Sequence, residues 1–215
     1  MTALKERALS DDELAFYRAL LDVTRLFLLR REPENSVSRP ERDSHAVSRY
    51  LVSARFLREA KAHLTDLPDE KLVYVTGPQD VSTFALSRLV FFKLAHASRA
   101  YAIPDPSSQI DALEHLTEEG QALLATFHSH PGHGPDATRP SGIDLATQEQ
   151  LEDLGYPTVG VIFSRDGFVR FYTKNHEFDV SVSGSGAIEV TKHLYRLIER
   201  VPTPTRSGGL HVTSC

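Results

Sequence analysis

The chain has 215 residues, a formal net charge of −5 at neutral pH and 40% hydrophobic residues. This length predicts one domain of ordinary size with extensions, and the composition supplies enough apolar side chains for a substantial core. The negative net charge argues against a general nucleic-acid-binding protein, which would need a basic surface.

The single cysteine, Cys215, is the last residue, so neither an internal disulfide nor a cysteine-based zinc knuckle can form. Any metal ion must therefore be held by histidine and carboxylate side chains. The apolar N-terminal stretch 14–29 contains Arg18, Asp22 and Arg25, which argues against a membrane span, and no targeting signal is recognisable there. We therefore expect a cytoplasmic protein whose partners include neither nucleic acid nor membrane.

Both ends of the chain differ from its middle. Ser10 followed by Glu13 forms a capping-box pattern that predicts a helix running to about Arg30, and the polar segment 31–44 predicts a linker. Residues 201–215, rich in Pro, Gly, Ser and Thr, predict a flexible tail. We therefore expect an N-terminal helical extension and linker over 1–43, a folded domain over 44–200, and the tail.

The hydrophobic pattern of the middle segment predicts alternating helices and strands. Helices are predicted at 46–64, around 110–116, at 142–154 and at 187–200, and the second of them has Ser107 or Ser108 as its cap. Strands are predicted at 72–76, 88–95, 123–127, 158–164, 168–173 and 178–182. Arg165-Asp166-Gly167 predicts a hairpin turn. This order indicates an α/β domain in which helices flank a mixed, mostly antiparallel sheet.

Two histidines at the end of a predicted strand suggest a metal site. On an extended backbone the side chains of His128 and His130 point the same way, so both imidazoles can reach one ion. Asp144, at the start of the next predicted helix, can supply a third ligand. Two imidazoles and a carboxylate suit zinc, with a fourth position open for water as in catalytic sites. The spacing from Ser141 to Asp144 is equally that of a capping box, in which Asp144 only closes the helix.

A longer pattern connects these residues to a known family. It consists of His128-Ser129-His130-Pro131, Pro140-Ser141 and Asp144. The pattern resembles the signature of the JAMM metalloproteases, also called the MPN-plus or JAB family, in which an upstream glutamate lies seven residues before a glycine that ends a strand. Glu70 has this relation to Gly77. The resemblance covers about 46–200 and implies an MPN (JAB)-like catalytic domain, one zinc ion per chain, Glu70 as the general acid/base and Ser141 as the residue that stabilises the oxyanion.

The chain departs from the family pattern at two places. Nine residues separate Pro131 from Ser141 where the family has about six, and a surface loop tolerates such an insertion at little cost. His133, inside this loop, is either a competing ligand or a solvated side chain. Leu72-Val73 replaces the usual Cys-Gly after the glutamate, so the nearby acids Glu59, Asp66 and Asp69 stay open as alternatives to Glu70 or as solvated charges.

The resemblance also implies a substrate class. JAMM enzymes hydrolyse amide or isopeptide bonds, commonly at the C-terminus of ubiquitin or a ubiquitin-like protein. The compact chain resembles bacterial JAB proteins encoded beside ubiquitin-like proteins and their activating and conjugating enzymes, including antiphage systems of the Bil and CBASS type. We therefore expect a zinc-dependent isopeptidase or peptidase that processes a ubiquitin-like precursor or removes it from its conjugates.

Two alternatives to this expectation remain. One is a JAMM hydrolase acting on a sulfur-carrier protein or a small-molecule amide, and the other is a non-catalytic MPN scaffold. A deep, closed pocket would favour a small amide, whereas an open groove would favour a protein tail. A scaffold is expected to lack the ligands, and their presence argues against it.

Overall fold

The computed structural model describes residues 47–80 and 82–198, so the predicted N-terminal helix, the linker and the C-terminal tail lie outside the described residues. The strands are β1 (Ser48–Ser53), β2 (Leu72–Thr76), β3 (Thr83–Leu86), β4 (Arg88–Val90), β5 (Leu94–Ala97), β6 (Ala102–Pro104), β7 (Ala125–Ser129), β8 (Val159–Phe163), β9 (Phe168–Tyr172), β10 (Phe178–Ser183), β11 (Ala187–Thr191) and β12 (Leu194–Leu197). The helices are α1 (Ala54–Leu64), α2 (Pro106–Glu118) and α3 (Gly142–Asp153), and a 3-10 turn covers Pro135–Thr138.

A seven-stranded sheet forms the centre of the fold, in the order β11-β12-β9-β8-β7-β2-β4. All neighbours in it are antiparallel except β7 and β8, which are parallel. A second, parallel sheet has the order β10-β1-β3, and β5 and β6 form a separate hairpin. The predicted α/β class with a mostly antiparallel sheet is therefore confirmed.

The two faces of the central sheet are buried by different elements. On one face, α1 and the parallel sheet close the main core, in which Leu57, Leu64 and Phe127 have no solvent exposure. On the other face, Tyr74 of β2 packs in a smaller cluster that includes Leu113 of α2 and Leu151 of α3. Tyr74 and Leu151 also line the pocket of the candidate site, which therefore lies on this second face.

The predicted helix 46–64 is wrong in its first half. Residues 48–53 form β1, in which the buried Tyr50 and Val52 alternate with more exposed neighbours. Pairing with β3 on one side and β10 on the other satisfies the β1 backbone. The helix begins only at Ala54, because the Oγ of Ser53 accepts a hydrogen bond from the backbone N–H of Phe56 at 3.0 Å and caps it.

The predicted helix 187–200 is also wrong, since its described residues form the antiparallel strands β11 and β12. The β-branched residues Ile188, Val190 and Thr191 favour a strand. His193, in the turn, has a φ of 63°, which a helix does not allow. Pairing of β12 with β9 buries Leu194 against the sheet, so tertiary packing decides the conformation.

Other boundaries differ in detail. The predicted strand 88–95 is divided into β4 and β5, and the short strand β3 had no prediction. The cap of α2 is Asp105, whose Oδ1 accepts from the N–H of Ser108 at 2.9 Å, rather than Ser107 or Ser108. The predictions of α3 and of the hairpin at 165–167 are confirmed. Within the described ranges, no helix is long and apolar enough to cross a membrane.

Candidate metal centre and active site

Strand β7 and helix α3 bring the three predicted ligands together. His128 lies inside β7, and His130 follows directly, with its backbone N–H bonded to Phe163 of β8 at 2.9 Å, so the chain stays extended. His128 Nε2 lies 3.2 Å from His130 Nε2 and 3.1 Å from Asp144 Oδ1, and His130 Nε2 lies 3.5 Å from Asp144 Oδ2. The i, i+2 geometry expected from the sequence is therefore present.

These distances match the donor set of a zinc ion. A tetrahedral site with bonds of about 2.0–2.1 Å has donor–donor edges of about 3.3–3.4 Å. Among the described residues, His128, His130 and Asp144 form the group of His, Cys, Asp and Glu side chains suited to hold a metal ion. Two ring nitrogens that face each other beside a carboxylate repel one another unless a proton or a cation lies between them. A metal cation fits this set of donor atoms.

A backbone carbonyl fixes the orientation of the His130 ring. The Nδ1 of His130 lies 2.8 Å from the carbonyl oxygen of Ala137, which can only accept a hydrogen bond. The proton of a neutral His130 ring therefore resides on Nδ1, and the Nε2 lone pair faces Asp144 and His128. A metal-binding histidine commonly has such a second hydrogen bond.

The position of Asp144 is compatible with both interpretations that the sequence left open. Its Oδ2 accepts from the backbone N–H of Ser141 at 2.7 Å, while the Ser141 Oγ accepts from the Asp144 N–H at 3.3 Å, which completes a capping box. Its Oδ1 faces His128. One carboxylate can therefore close the helix with one oxygen and bind an ion with the other.

The charges at the centre are strongly coupled. Burial alone would raise the pKa of Asp144, but the two imidazoles outweigh it and hold this pKa far below its usual range. Burial alone would lower the pKa of His130, but the adjacent Asp144 carboxylate outweighs it and raises this pKa. The centre thus favours positive charge between the ring nitrogens and the carboxylate.

Glu70 faces the same pocket as the three ligands. Burial raises its pKa to about 7, with the nearby His130 opposing this shift and Asp144 adding to it. The alternatives do not reach the pocket: Glu59 pairs with Arg55 on the exposed side of α1, and Asp66 pairs with Lys71. Asp69 is likewise absent from the pocket lining.

The backbone around Glu70 is held from two sides. Its N–H donates to the carbonyl of Ser98, in the turn between β5 and β6, at 2.7 Å. Next to it, the Lys71 N–H donates to the Oγ of Ser129 and the Ser129 N–H donates to the Lys71 carbonyl, both at 3.0 Å. Ser129, between the two histidines, therefore connects the segment of Glu70 to the strand that carries the ligands.

The pocket that His128, His130 and Asp144 line has a volume of about 160 Å³, lies between α2, α3 and the central sheet, and is mostly apolar. Ser141, Thr126 and Gln109 also line it. Its apolar wall is formed by Leu72, Tyr74, Ala102, Pro104, Leu151, Leu154 and Tyr172. None of the described residues that line the pocket is a lysine or an arginine.

Two groups that shape the site had no prediction, the carbonyl of Ala137 and the side chain of Tyr172. Ser129 was predicted only as part of the motif, and the carbonyl of Ala137 has no sequence signal because any residue supplies one. Tyr172 reaches the pocket because Gly160, its partner on β8, has no side chain; a Cβ there would overlap the Tyr172 ring. His133 is exposed, near Asp166, and does not line the pocket.

Comparison with known proteins gives matches to one family. Residues 52–174 match the Prok-JAB family, described as prokaryotic homologs of the JAB domain. A protein of Thermus thermophilus, named a probable TtuB-protein conjugate cleaving protease, is 30% identical over 122 residues, which cover 56% of this chain and 73% of that protein.

Three solved structures resemble the chain in fold. Protein DSY2949 from Desulfitobacterium hafniense has a TM-score of 0.45 at 20% identity and covers 63% of this chain and 95% of its own. AF2198, a JAB1/MPN domain protein from Archaeoglobus fulgidus, has a TM-score of 0.37 at 18% identity, with 63% and 97% covered. A structure described as JAMM, a metalloprotease-like zinc site in the proteasome and signalosome, has a TM-score of 0.38 at 16% identity, with 64% and 100% covered.

The family assignment rests on the sequence matches, because the matched segment spans more than half of the chain and contains every residue of the candidate centre. From these matches, the chain belongs to the Prok-JAB family of prokaryotic JAB-domain homologs.

Proposed function

We propose that this chain is a zinc-dependent isopeptidase or peptidase that hydrolyses the amide bond after the C-terminus of a ubiquitin-like protein. The observation that carries the proposal is the arrangement of His128, His130 and Asp144 at 3.1–3.5 Å from one another, in one pocket with Glu70. One ion per chain would be held by these three side chains. When bound, zinc supplies a Lewis acid that acidifies water and polarises a carbonyl group.

Glu70 has the properties of the proton carrier. A general base works best when its pKa is near the working pH, and half-burial places the pKa of Glu70 near 7 in the protein without metal. Its carboxylate would take a proton from the attacking water and deliver it to the nitrogen of the leaving amine. The hydrogen bond to Ser98 and the pair of hydrogen bonds between Lys71 and Ser129 hold the backbone segment that carries this carboxylate.

Ser141 is suited to stabilise the oxyanion. Its Oγ accepts a hydrogen bond from the Asp144 N–H, which uses a lone pair and leaves the hydroxyl hydrogen available to donate. The hydroxyl lies at the N-terminus of α3, where the helix dipole also favours negative charge. A donor at this position would stabilise the developing charge on the scissile carbonyl oxygen.

The side chains that line the pocket indicate which class of substrate it favours. Its apolar wall and the lack of lysine or arginine among its described lining residues disfavour a leaving group with a free carboxylate, such as a single amino acid. A neutral backbone segment or an internal isopeptide carries no free carboxylate, so its binding does not require burial of an unpaired charge. The name of the Thermus relative, a probable protease that cleaves TtuB-protein conjugates, supports a protein conjugate as substrate. A small neutral amide is the second candidate, because a cavity of about 160 Å³ is large enough for one.

The decisive experiment measures zinc content and cleavage of a panel of ubiquitin-like fusion proteins and isopeptide conjugates. Wild type, Glu70→Ala and His128→Ala are compared. We expect one zinc per wild-type chain, loss of cleavage in both variants, and loss of zinc only in His128→Ala. Zinc binding without cleavage of any protein substrate would shift the proposal to small amides. A wild-type chain that binds no zinc would refute the metal centre.

The partners proposed for such a protein are the cognate ubiquitin-like protein and its activating and conjugating enzymes, in a bacterial antiphage system. This part of the proposal is supported by the sequence resemblance alone. Co-expression with the neighbouring genes of its genome tests it: a conjugate that accumulates with the Glu70→Ala variant and disappears with wild type is the expected result. Phage plating on the same strains tests the antiphage role, and equal plaque counts with and without the genes would contradict it.

A further inference from the structure

We propose that Arg170 of β9 is a positioning residue for the metal ligand His130 and acts through the 3-10 turn Pro135–Thr138. The inference rests on the proposed metal centre, to which it adds a residue outside the pocket. The turn lies in the enlarged loop between Pro131 and Ser141, to which the proposed reaction otherwise assigns no role. Among the residues described, the loop contacts the metal centre through the Ala137 carbonyl that accepts from His130 Nδ1.

Arg170 holds the turn through two hydrogen bonds. Its Nε donates to the Oγ1 of Thr138 at 3.2 Å, and its Nη2 donates to the carbonyl of Pro135 at 3.3 Å. The Thr138 hydroxyl in turn donates to the Pro135 carbonyl at 2.7 Å, and Thr138 has no solvent exposure. One guanidinium therefore binds both ends of a four-residue turn, which its planar, forked set of donors allows.

The Ala137 carbonyl lies between these two anchored residues. The direction of this carbonyl follows from the conformation of the turn, because Arg170 binds both Thr138, the next residue, and Pro135, two residues earlier. The carbonyl in turn orients the His130 ring. The connection from Arg170 through Thr138 and Ala137 to His130 is thus a continuous set of hydrogen bonds and peptide units.

The start of the loop is fixed by the same β-hairpin. Asp166, between β8 and β9, accepts the N–H of Gly134 with both carboxylate oxygens, at 2.9 and 3.0 Å, and the Ser164 hydroxyl donates to it at 2.7 Å. Gly134 has a φ of 82°, which favours glycine. With this end anchored, removal of Arg170 frees only the 3-10 turn, so its effect can be measured separately.

The experiment measures the zinc dissociation constant by competition with a chelator and the visible spectrum of the Co²⁺-loaded protein, which reports ligand geometry. Arg170→Met keeps the apolar stem of the side chain and removes its donors. Loss of a partner outside the ligand set typically weakens metal binding by about 10–100-fold, and we expect that loss with an altered Co²⁺ spectrum. Arg170→Lys, with one donor site, should recover part of the affinity.

Arg139→Met is the matched control. Arg139 directly follows the turn, but its side chain is exposed and pairs with Asp136 at 2.8 Å, without a contact to the centre. We expect its zinc affinity and Co²⁺ spectrum to equal those of wild type. A loss as large as in Arg170→Met would mean that charge near the loop, and not the hydrogen bonds, sets the affinity, and would overturn the proposal.

Thr138 provides a second route if Arg170→Met does not fold. Thr138→Val keeps the buried shape and removes the hydroxyl, and Thr138→Ser restores it. We expect weaker zinc binding in the first variant and near-normal binding in the second. If Arg170→Met or Thr138→Val binds zinc as tightly as wild type, this inference alone is overturned. If the wild-type protein binds no zinc, the proposed function is overturned as well.

Discussion

Glu70 is a carboxylic acid in a half-buried pocket, beside two imidazoles and a second carboxylate. We expect Glu70→Gln to retain zinc and to lose about 10²–10⁴-fold in kcat, because an amide fills the same space but cannot carry a proton. Zinc content and single-turnover cleavage measure the two effects. Glu59→Gln, on the exposed side of α1, is the control and should cleave as wild type does. Full activity of Glu70→Gln would mean that another acidic residue acts as the general acid/base.

The same substitution should stabilise the protein without metal. The folded protein binds the Glu70 proton more tightly than the unfolded chain, since the pKa is raised from 4.5 to about 7. Stability is therefore lost as the pH rises through this window, and above it the ionised carboxylate destabilises the fold by roughly 1–3 kcal/mol. Glutamine has no such penalty.

Urea unfolding in the presence of a chelator tests this expectation. Glu70→Gln should exceed wild type in unfolding free energy at pH 8, and the difference should disappear by about pH 4, where wild-type Glu70 is protonated in both states. A difference that does not change with pH would show that packing, and not charge, separates the two proteins.

Ser129 gives a prediction for a residue that touches neither ion nor substrate. Ser129→Ala removes the acceptor of the Lys71 N–H, while the reciprocal bond from the Ser129 N–H remains. We expect zinc to be retained and kcat to fall several-fold, because the segment of Glu70 becomes less firmly held, with a loss of about 1 kcal/mol in stability. Ser129→Thr, which keeps the hydroxyl, is the comparison; equal kcat in all three proteins would contradict the role.

At the scale of elements, the N-terminus of α3 combines a helix cap with a proposed metal ligand. Asp144→Asn separates the two functions, because an amide oxygen can still accept from the Ser141 N–H but loses the negative charge that faces His128. We expect unchanged helix content by circular dichroism and zinc binding weaker by at least about 10-fold. Zinc binding equal to wild type would mean that Asp144 acts only as a cap.

The sequence predicted the elements around the site better than those at the edge of the fold. The strand-to-helix unit from β7 to α3 carries local signals: an apolar run, a loop with Gly and Pro, and the Ser141–Asp144 cap. The segments 48–53 and 187–197 were predicted as helix because apolar and charged residues also follow a helical spacing there. Their strand conformation depends on partners distant in sequence, such as Phe178 for Ser48, which no local pattern reveals.

The residues of the candidate site also fall into two groups, those that the sequence motif predicts and those that only tertiary packing brings to the pocket. The positions of His128, His130, Asp144, Glu70 and Ser141 could be predicted from the motif, and all five residues line one pocket, while their roles stay predictions. The pocket wall could not be predicted, since Tyr172 reaches it only through the missing side chain of Gly160 across the sheet. Arg170 lacks a sequence signal because its contacts are a side-chain oxygen and a carbonyl more than 30 positions away.

At the scale of the whole molecule, the described core is closed by residues between 47 and 198. Tyr50 of β1 and Leu197 of β12 both belong to the main hydrophobic cluster. We therefore expect a chain limited to residues 44–200 to fold cooperatively and to bind one zinc ion. Its unfolding transition and zinc content, compared with those of the full chain, check this. Aggregation of the shortened chain, or loss of zinc, would show that the domain needs residues outside these bounds.

The parallel pairing of β1 with β10 joins Ser48 to Phe178, 130 positions later in the chain. At a synthesis rate of about 5–20 residues per second, β1 is synthesised roughly 6–26 s before its partner strand. His128, His130, Asp144 and Glu70 lie within this interval, so the nascent chain carries all the side chains of the candidate centre while the parallel sheet is unfinished. The parallel sheet can therefore be completed only after β10 has been synthesised, so the main core closes late in the synthesis of the described domain.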